Sequence, residues 1–206
     1  MNKKLKVLVA CEYSGTVRDA FAELGHDAWS CDILPSESEG NHIQGDVIEQ
    51  LDKGWDLMVA HPPCTHLAVS GARWFTEGVK PWSLQEDALD FVRKLLNAPI
   101  KRIAIENPIS VISTKIRKPN QIIQPWMFGD LATKTTCLWT KGLPNLIPSV
   151  TKKPELEYHY TKSGRRMQKW MYDIRCKTTK NGLRQKLASK TFKGIADAMA
   201  NQWSKI

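Results

Sequence analysis

At 206 residues the chain suits one domain, or one domain with an appendage, and its apolar share of 42% can build a core, which excludes global disorder. No stretch approaches the roughly 20 apolar residues that a membrane span needs. The net charge of +9 is segregated: residues 1–150 carry 16 Lys and Arg against 17 Asp and Glu (net −1), and residues 151–206 carry 14 against 4 (net +10). A near-neutral body with a basic final quarter points to a polyanion partner, nucleic acid first, a solvated surface segment being the alternative.

In chain order, the basic start from Met1 to Lys6 leads into a short apolar run. That run reads as a first strand over residues 5–10 of a cytoplasmic protein, being too short for a signal-peptide core. Ser14-Gly15-Thr16 is turn-like, and residues 17–24 are amphipathic, closed by Gly25 as a C-terminal cap. Residues 27–33 and 42–47 read as strands, the second followed by a brief helix to Lys53. A fourth strand over 55–60 is cut off by Pro62-Pro63. Residues 83–97 make a helix capped by Ser83 with Glu86 at its third position, and Leu89, Val92, Leu95 and Leu96 share a face. A fifth strand over 100–106 stops at Pro108. Residues 135–141 form another strand, 142–190 are rich in Pro, Gly and Lys with weak periodicity, and 193–203 close as a helix.

Strands alternating with helices predict an α/β fold, a doubly wound and mostly parallel sheet with a small basic appendage. Ligands of such sheets lie outside the carboxyl ends of the strands. Glu12, Asp32, Asp46, residues 61–64 and Glu106-Asn107 all fall there. The expected organisation is a catalytic core over 1–141, a basic substrate-recognition insert over 142–190 and a C-terminal helix over 191–206 returning to the core. The five cysteines are scattered, show no Cys-x-x-Cys spacing and read as free thiols, with no metal site.

Each chemical signal is modest alone: Ser14-Gly15 after a strand, Asp32 as a ribose partner or a cap, Pro63-Cys64 as a turn, Glu106-Asn107-Pro108 as a strand stop. Their succession resembles the DNA cytosine-5 methyltransferase family. Residues 8–15 (LVACEYSG) look like its first cofactor motif, and Gly45-Asp46-Val47 like its adenine-contacting motif. Residues 56–64 (DLMVAHPPC), with Ser70-Gly71 beyond, look like its nucleophile motif, and residues 103–108 (IAIENP) like its Glu-Asn motif. The resemblance spans residues 4 to about 110 and returns faintly at 128–139 and 191–203. The Pro-Cys and Glu-Asn pair is its specific part.

The resemblance implies a Rossmann-like fold binding S-adenosylmethionine, and methyl transfer to C5 of cytosine in DNA, in a bacterial or phage-infected cell. Cytosine C5 is a poor nucleophile, and a thiolate added at C6 makes the ring an enamine able to attack a methyl sulfonium. Cys64 would supply that thiolate from a loop fixed by Pro63. Glu106 would grip ring N3 and the amino group, and Asn107 would hold the Pro-Cys loop. Tyr13, Ser14, Gly15, Asp32, Ile33, Asp46 and Val47 would hold the cofactor. Ser70, Arg73, Lys134, Arg165 and Arg166 would meet the nucleic acid. Residues 65–82 would be a lid hinged at Gly71 and Gly78 whose aromatics fill the stack left by a flipped base, or else an ordinary anchored loop.

Three features depart from the family pattern. Val17 stands where a second glycine is usual, the Gln-Arg-x-Arg segment has only Lys134-Thr135-Thr136 as its nearest match, and about 50 residues replace a sizeable recognition domain. That insert interleaves twelve Lys and Arg, Lys162 and Lys180 among them, with Tyr158, Tyr160, Trp170 and Tyr172. Basic residues suit phosphates and aromatics suit unpaired bases. RNA or a free pyrimidine nucleotide as substrate, a non-catalytic nucleic-acid-binding relative, and an unrelated doubly wound nucleotide-binding enzyme are the other readings. His61 and His66 flank the nucleophile, either tuning the thiolate or serving structure.

Overall fold

The computed structural model describes residues 3–161, 163–178 and 181–205. Its centre is a seven-stranded sheet in the order β3-β2-β1-β4-β5-β7-β6. The strands are β1 (Lys6–Ala10), β2 (Asp27–Asp32), β3 (His42–Gln44), β4 (Leu57–Ala60), β5 (Arg102–Asn107), β6 (Gln121–Ile123) and β7 (Thr136–Lys141). β1, β2, β3, β4 and β5 pair in parallel, and β7 runs antiparallel to both β5 and β6. The middle strands are continuous apolar runs because both faces of a parallel sheet are covered.

Alternate residues divide between the two faces. Val7, Val9, Leu57, Val59 and Ala104 pack with Val17 and Phe21 of α1 (Thr16–Glu23) and with Ile195, Met199 and Trp203 of α7 (Lys193–Trp203). Leu8, Met58, Ala60, Ile103 and Ile105 pack with Leu89, Val92 and Leu95 of α3 (Ser83–Leu96). The sheet is therefore doubly wound, as the alternation predicted. Its winding reverses between β1 and β4, and the crevice at that switch opens at their carboxyl ends.

Gly25 closes α1 as expected, in the left-handed region (φ 84°) with its amide on the Ala22 carbonyl. Ser83 does not cap α3. Pro81-Trp82 already turn, with the Gln85 amide on the Trp82 carbonyl, so Trp82 holds the cap position and Ser83 lies inside the helix. Short elements escaped the sequence reading: α2 (Arg73–Thr76), α4 (Ile112–Lys115) and β6. The described residues of 142–190 hold more regular structure than their weak periodicity suggests. Leu143 and Leu146 pack on the α1–α7 face, and Trp203 Nε1 donates to the Pro144 carbonyl. Beyond them come a hairpin of β8 (Tyr158–Tyr160) and β9 (Arg166–Gln168), then α5 (Lys169–Lys177) and α6 (Asn181–Ser189). Among the described residues no helix is long and apolar enough to cross a membrane.

α7 meets the turn Pro125–Phe128 through Gly194, whose amide donates to Asp130 (3.0 Å). A Cβ there would run into the Phe128 carbonyl oxygen, which is backbone and cannot move aside cheaply. Gly194→Ala should destabilise the fold by about 1–3 kcal/mol, as overpacked sites do, measured by denaturant unfolding against the wild-type chain.

Candidate active site at the strand ends

The loop after β1 is held by Glu12. Its buried carboxylate accepts the Val17 (2.8 Å) and Arg18 (3.1 Å) amides at the start of α1, so it serves the helix N-terminus rather than facing a ligand. Cys11 sits at φ 58°, an uncommon conformation for a residue with a side chain. Gly15 has φ 76°, and a Cβ there would strike Ser38 Oγ and the Arg18 guanidinium. Its glycine requirement thus comes from the chain's own packing. Arg18, buried, donates to Ser30, Ser36 and Ser38 and so pins the loop after β2.

The remaining residues expected at the cofactor divide. Asp32 accepts the Leu34 amide (2.9 Å), and Asp46 caps the turn Val47–Gln50 through the Ile48 amide (2.9 Å). The Val47 side chain lies in the core, whereas Ile33 stands on the surface. Burial and then the charges of Asp32, Cys31 and Asp46 push the Cys11 thiol far up. Burial followed by Asp32 and Asp46 takes Cys31 to about 11. The two acids thus set a negative field around the end of β1. Ser14 bonds within its own loop to Glu12 and Thr16. Tyr13 is engaged elsewhere: its hydroxyl donates to the Lys186 carbonyl (2.9 Å), and the Lys186 ammonium lies 4.7 Å over its ring.

β4 stops at Ala60, opposite Ile105, while β5 runs on to Asn107, and this places residues 61–64 against Glu106-Asn107. The Asn107 amide donates to the Pro62 carbonyl (2.9 Å), so the residue expected to hold the Pro-Cys loop bonds its backbone. His61 Nδ1 lies 3.0 Å from Glu106 Oε2. His61 therefore faces the carboxylate, and sequence reasoning saw it only as a neighbour of the thiol. Burial pushes the Glu106 carboxyl up, but His61 and then Lys134 outweigh it and hold the group below its ordinary value. Cys64 is half-buried beside the exposed Pro63. Burial and the Glu106 charge raise its thiol, Lys134 opposing them. Lys134 itself donates to the Ser189 and Lys190 carbonyls (3.2 Å each).

The loop after Cys64 is stitched to the strand end, with the Val69 amide on the Ile109 carbonyl and the Val111 amide on the Leu67 carbonyl. Phe75 is buried, stacked on Trp82 (centroids 5.3 Å) and edge-on to His66. Trp74 is exposed, with Arg73 over its ring at 4.3 Å. One aromatic thus anchors the loop while two face outward. Gly78 adopts φ 72°, whereas Gly71 has no such requirement. Ser70 and Arg73 are exposed on this loop.

Arg165 and Arg166 stand exposed on the β8–β9 hairpin, Arg166 lying 3.7 Å over the Tyr158 ring. Gln168 at the hairpin base accepts the Thr133 amide (2.7 Å), next to Lys134. Lys162 and Lys180 lie outside the described residues. Lys186 and Lys190 pair with Glu37 on the loop after β2, so α6 is clasped against the mouth of the crevice. Two other surface clefts are far from this chemistry. One, lined by Lys4, Gly25 and His26, opens at the opposite strand ends, and the other lies between Arg93 and Thr140.

No protein-family model matches the chain, and no curated protein matches it at a significant level. Among solved structures it is similar to an E. coli protein described as a candidate DNA modification methyltransferase encoded within a prophage. The two are 13% identical, with a TM-score of 0.46, and the match covers 83% of this chain and 64% of the other.

Because Glu106 raises the Cys64 thiol, Glu106→Gln should lower it. Alkylation at pH 7, read at the Cys64 peptide by mass spectrometry, should then be faster than in wild type, whose Cys64 reacts increasingly as pH rises. At the clasp, burial opposes but Lys186 and Lys190 prevail, holding the Glu37 carboxyl below its ordinary value. The contact is therefore present above the free-carboxylate range of about 4.3 and is lost as pH falls through the depressed value. Glu37→Gln should speed tryptic cleavage within α6 while changing global stability by less than about 1 kcal/mol.

Proposed function

We propose that the chain is an S-adenosylmethionine-dependent methyltransferase that adds Cys64 to C6 of cytosine in DNA and methylates C5. The observation that carries this reading is the pair of cross-strand bonds, Asn107 to Pro62 and His61 to Glu106. They hold the Pro-Cys loop and the Glu-Asn strand end together, with Cys64 in electrostatic reach of Glu106. A thiol without a nearby base-gripping acid would suit redox or structural roles, and this one has the acid, a cation and a fixed backbone around it.

In this reading the thiol of Cys64 is protonated in the free protein and ionises as a base enters, Lys134 favouring the thiolate. Glu106 holds the exocyclic amino group and N3, so the base arrives with C6 toward Sγ. Asn107 keeps the loop from receding. Asp32 and Asp46 have the chemistry to accept hydrogen bonds from ribose hydroxyls and an adenine amino group, and their negative field suits a sulfonium. S-adenosylmethionine, when bound, supplies the methyl group. The outward Trp74, Trp82 and Arg73, with the basic hairpin beyond Thr133, provide stacking faces and cations for a strand with an extruded base.

DNA containing 5-fluorocytosine tests the reading, single- and double-stranded. Fluorine at C5 cannot leave as a proton does, so turnover should stall as a covalent adduct on the Cys64 peptide, formed only with the methyl donor present. Cys64→Ala should reduce methyl transfer to background while retaining cofactor binding, and Glu106→Gln should lower kcat by about 10²–10⁴-fold. Full transfer in the Cys64 variant would overturn the assignment. An adduct on RNA or a free nucleotide alone would move the substrate and leave the chemistry.

A further inference from the structure

We infer that His61 is a positioning residue that holds the proton Glu106 delivers to the target base; this rests on the reading that Cys64 adds to a pyrimidine ring. The His61 amide donates to the Ala10 carbonyl (2.9 Å), which fixes its backbone between β1 and β5. Nδ1 lies 3.0 Å from Glu106 Oε2, the two side chains being only 12% and 13% exposed. Nε2 is buried and, among the described residues, has no partner. A histidine kept for packing satisfies both ring nitrogens when buried. This one satisfies the nitrogen that faces the acid.

The pair can carry one proton, as imidazolium beside carboxylate or imidazole beside carboxylic acid. The titratable groups around it are Cys64 on its own loop, Cys11 at the end of β1, Cys137 on β7 and Lys134 just before β7. His61 is the first of the groups holding Glu106 ionised against burial. While the site is empty of substrate, Glu106 is thus held as the carboxylate, facing His61 Nδ1. When the Cys64 thiolate, its own proton gone to solvent, bonds C6, the C5–C6 π pair shifts toward N3. Glu106 takes the Nδ1 proton of the imidazolium and passes it to N3. That leaves a neutral imidazole and a carboxylate. Once C5 has bonded the methyl group and lost its own proton to water, the C6–S bond breaks, thiolate leaves and N3 returns its proton to the pair.

His61→Asn keeps an N–H near the place of Nδ1 but cannot carry a proton. On the wild-type DNA substrate it should retain KM, lower kcat by about 10²-fold and change the shape of the pH–rate profile. In the same protein, free of substrate, the Glu106 carboxyl, followed by its carbon-13 shift, should titrate at higher pH than in wild type. A packing role alone predicts that the asparagine restores kcat. Wild-type kcat in His61→Asn, or an unmoved Glu106 titration, would overturn the inference. Should that variant not fold, His61→Gln answers the same measurements. Failure of the reaction assignment is separable, since it would show in wild type as the absence of any Cys64 adduct, whereas the Glu106 titration reads the pair without turnover.

Discussion

A strand that stops two residues short of its parallel neighbour is the constraint on which the rest of the site depends. β4 and β5 are locked in register by their backbone ladder, and prolines end both, Pro62-Pro63 after one and Pro108 after the other. Side chains then continue the pairing that the backbone gives up. Asn107 bonds the Pro62 carbonyl and His61 bonds Glu106. Without these cross-links the half-buried thiol would sit on a loop independent of the strand that carries the buried carboxylate. With them, the charge on one acts on the other, and the acid is held ionised in a place where burial alone would neutralise it.

A second constraint is electrostatic. Asp32 and Asp46 make the β1–β2 side of the crevice negative and add to the burial that pushes two neighbouring thiols up. The basic final quarter of the chain is brought to that side. Lys186 lies over Tyr13, Lys186 and Lys190 hold Glu37, and Lys134 reaches from β7 to the end of α6. Cations from the end of the chain thus face local acids across one cleft, while Arg165, Arg166 and Lys169 on the hairpin and α5 remain exposed. Buried Arg18 prepares the receiving surface by tying α1 to the serines that carry Glu37 outward.

The amino-acid pattern by itself determined the doubly wound sheet, the succession of its first five strands along the chain, and the placing of Cys64, Glu106 and Asn107 at strand ends. These are local matters: apolar runs too short for helices, glycine and proline at their ends, and polar residues where strands stop. What only the tertiary structure decided were contacts between residues distant along the chain. His61 and Glu106 are 45 residues apart, and Tyr13 and Lys186 are 173 apart. Neither pair leaves a periodic trace in a single sequence. The same reason explains what a sequence leaves open. Glu12 stands at a strand end and serves a helix end, the Val47 side chain lies in the core, and Ser83, expected as a cap, lies within a turn that Trp82 had begun. Periodicity reports which way a residue faces, but the partner waiting there is set by how the layers pack.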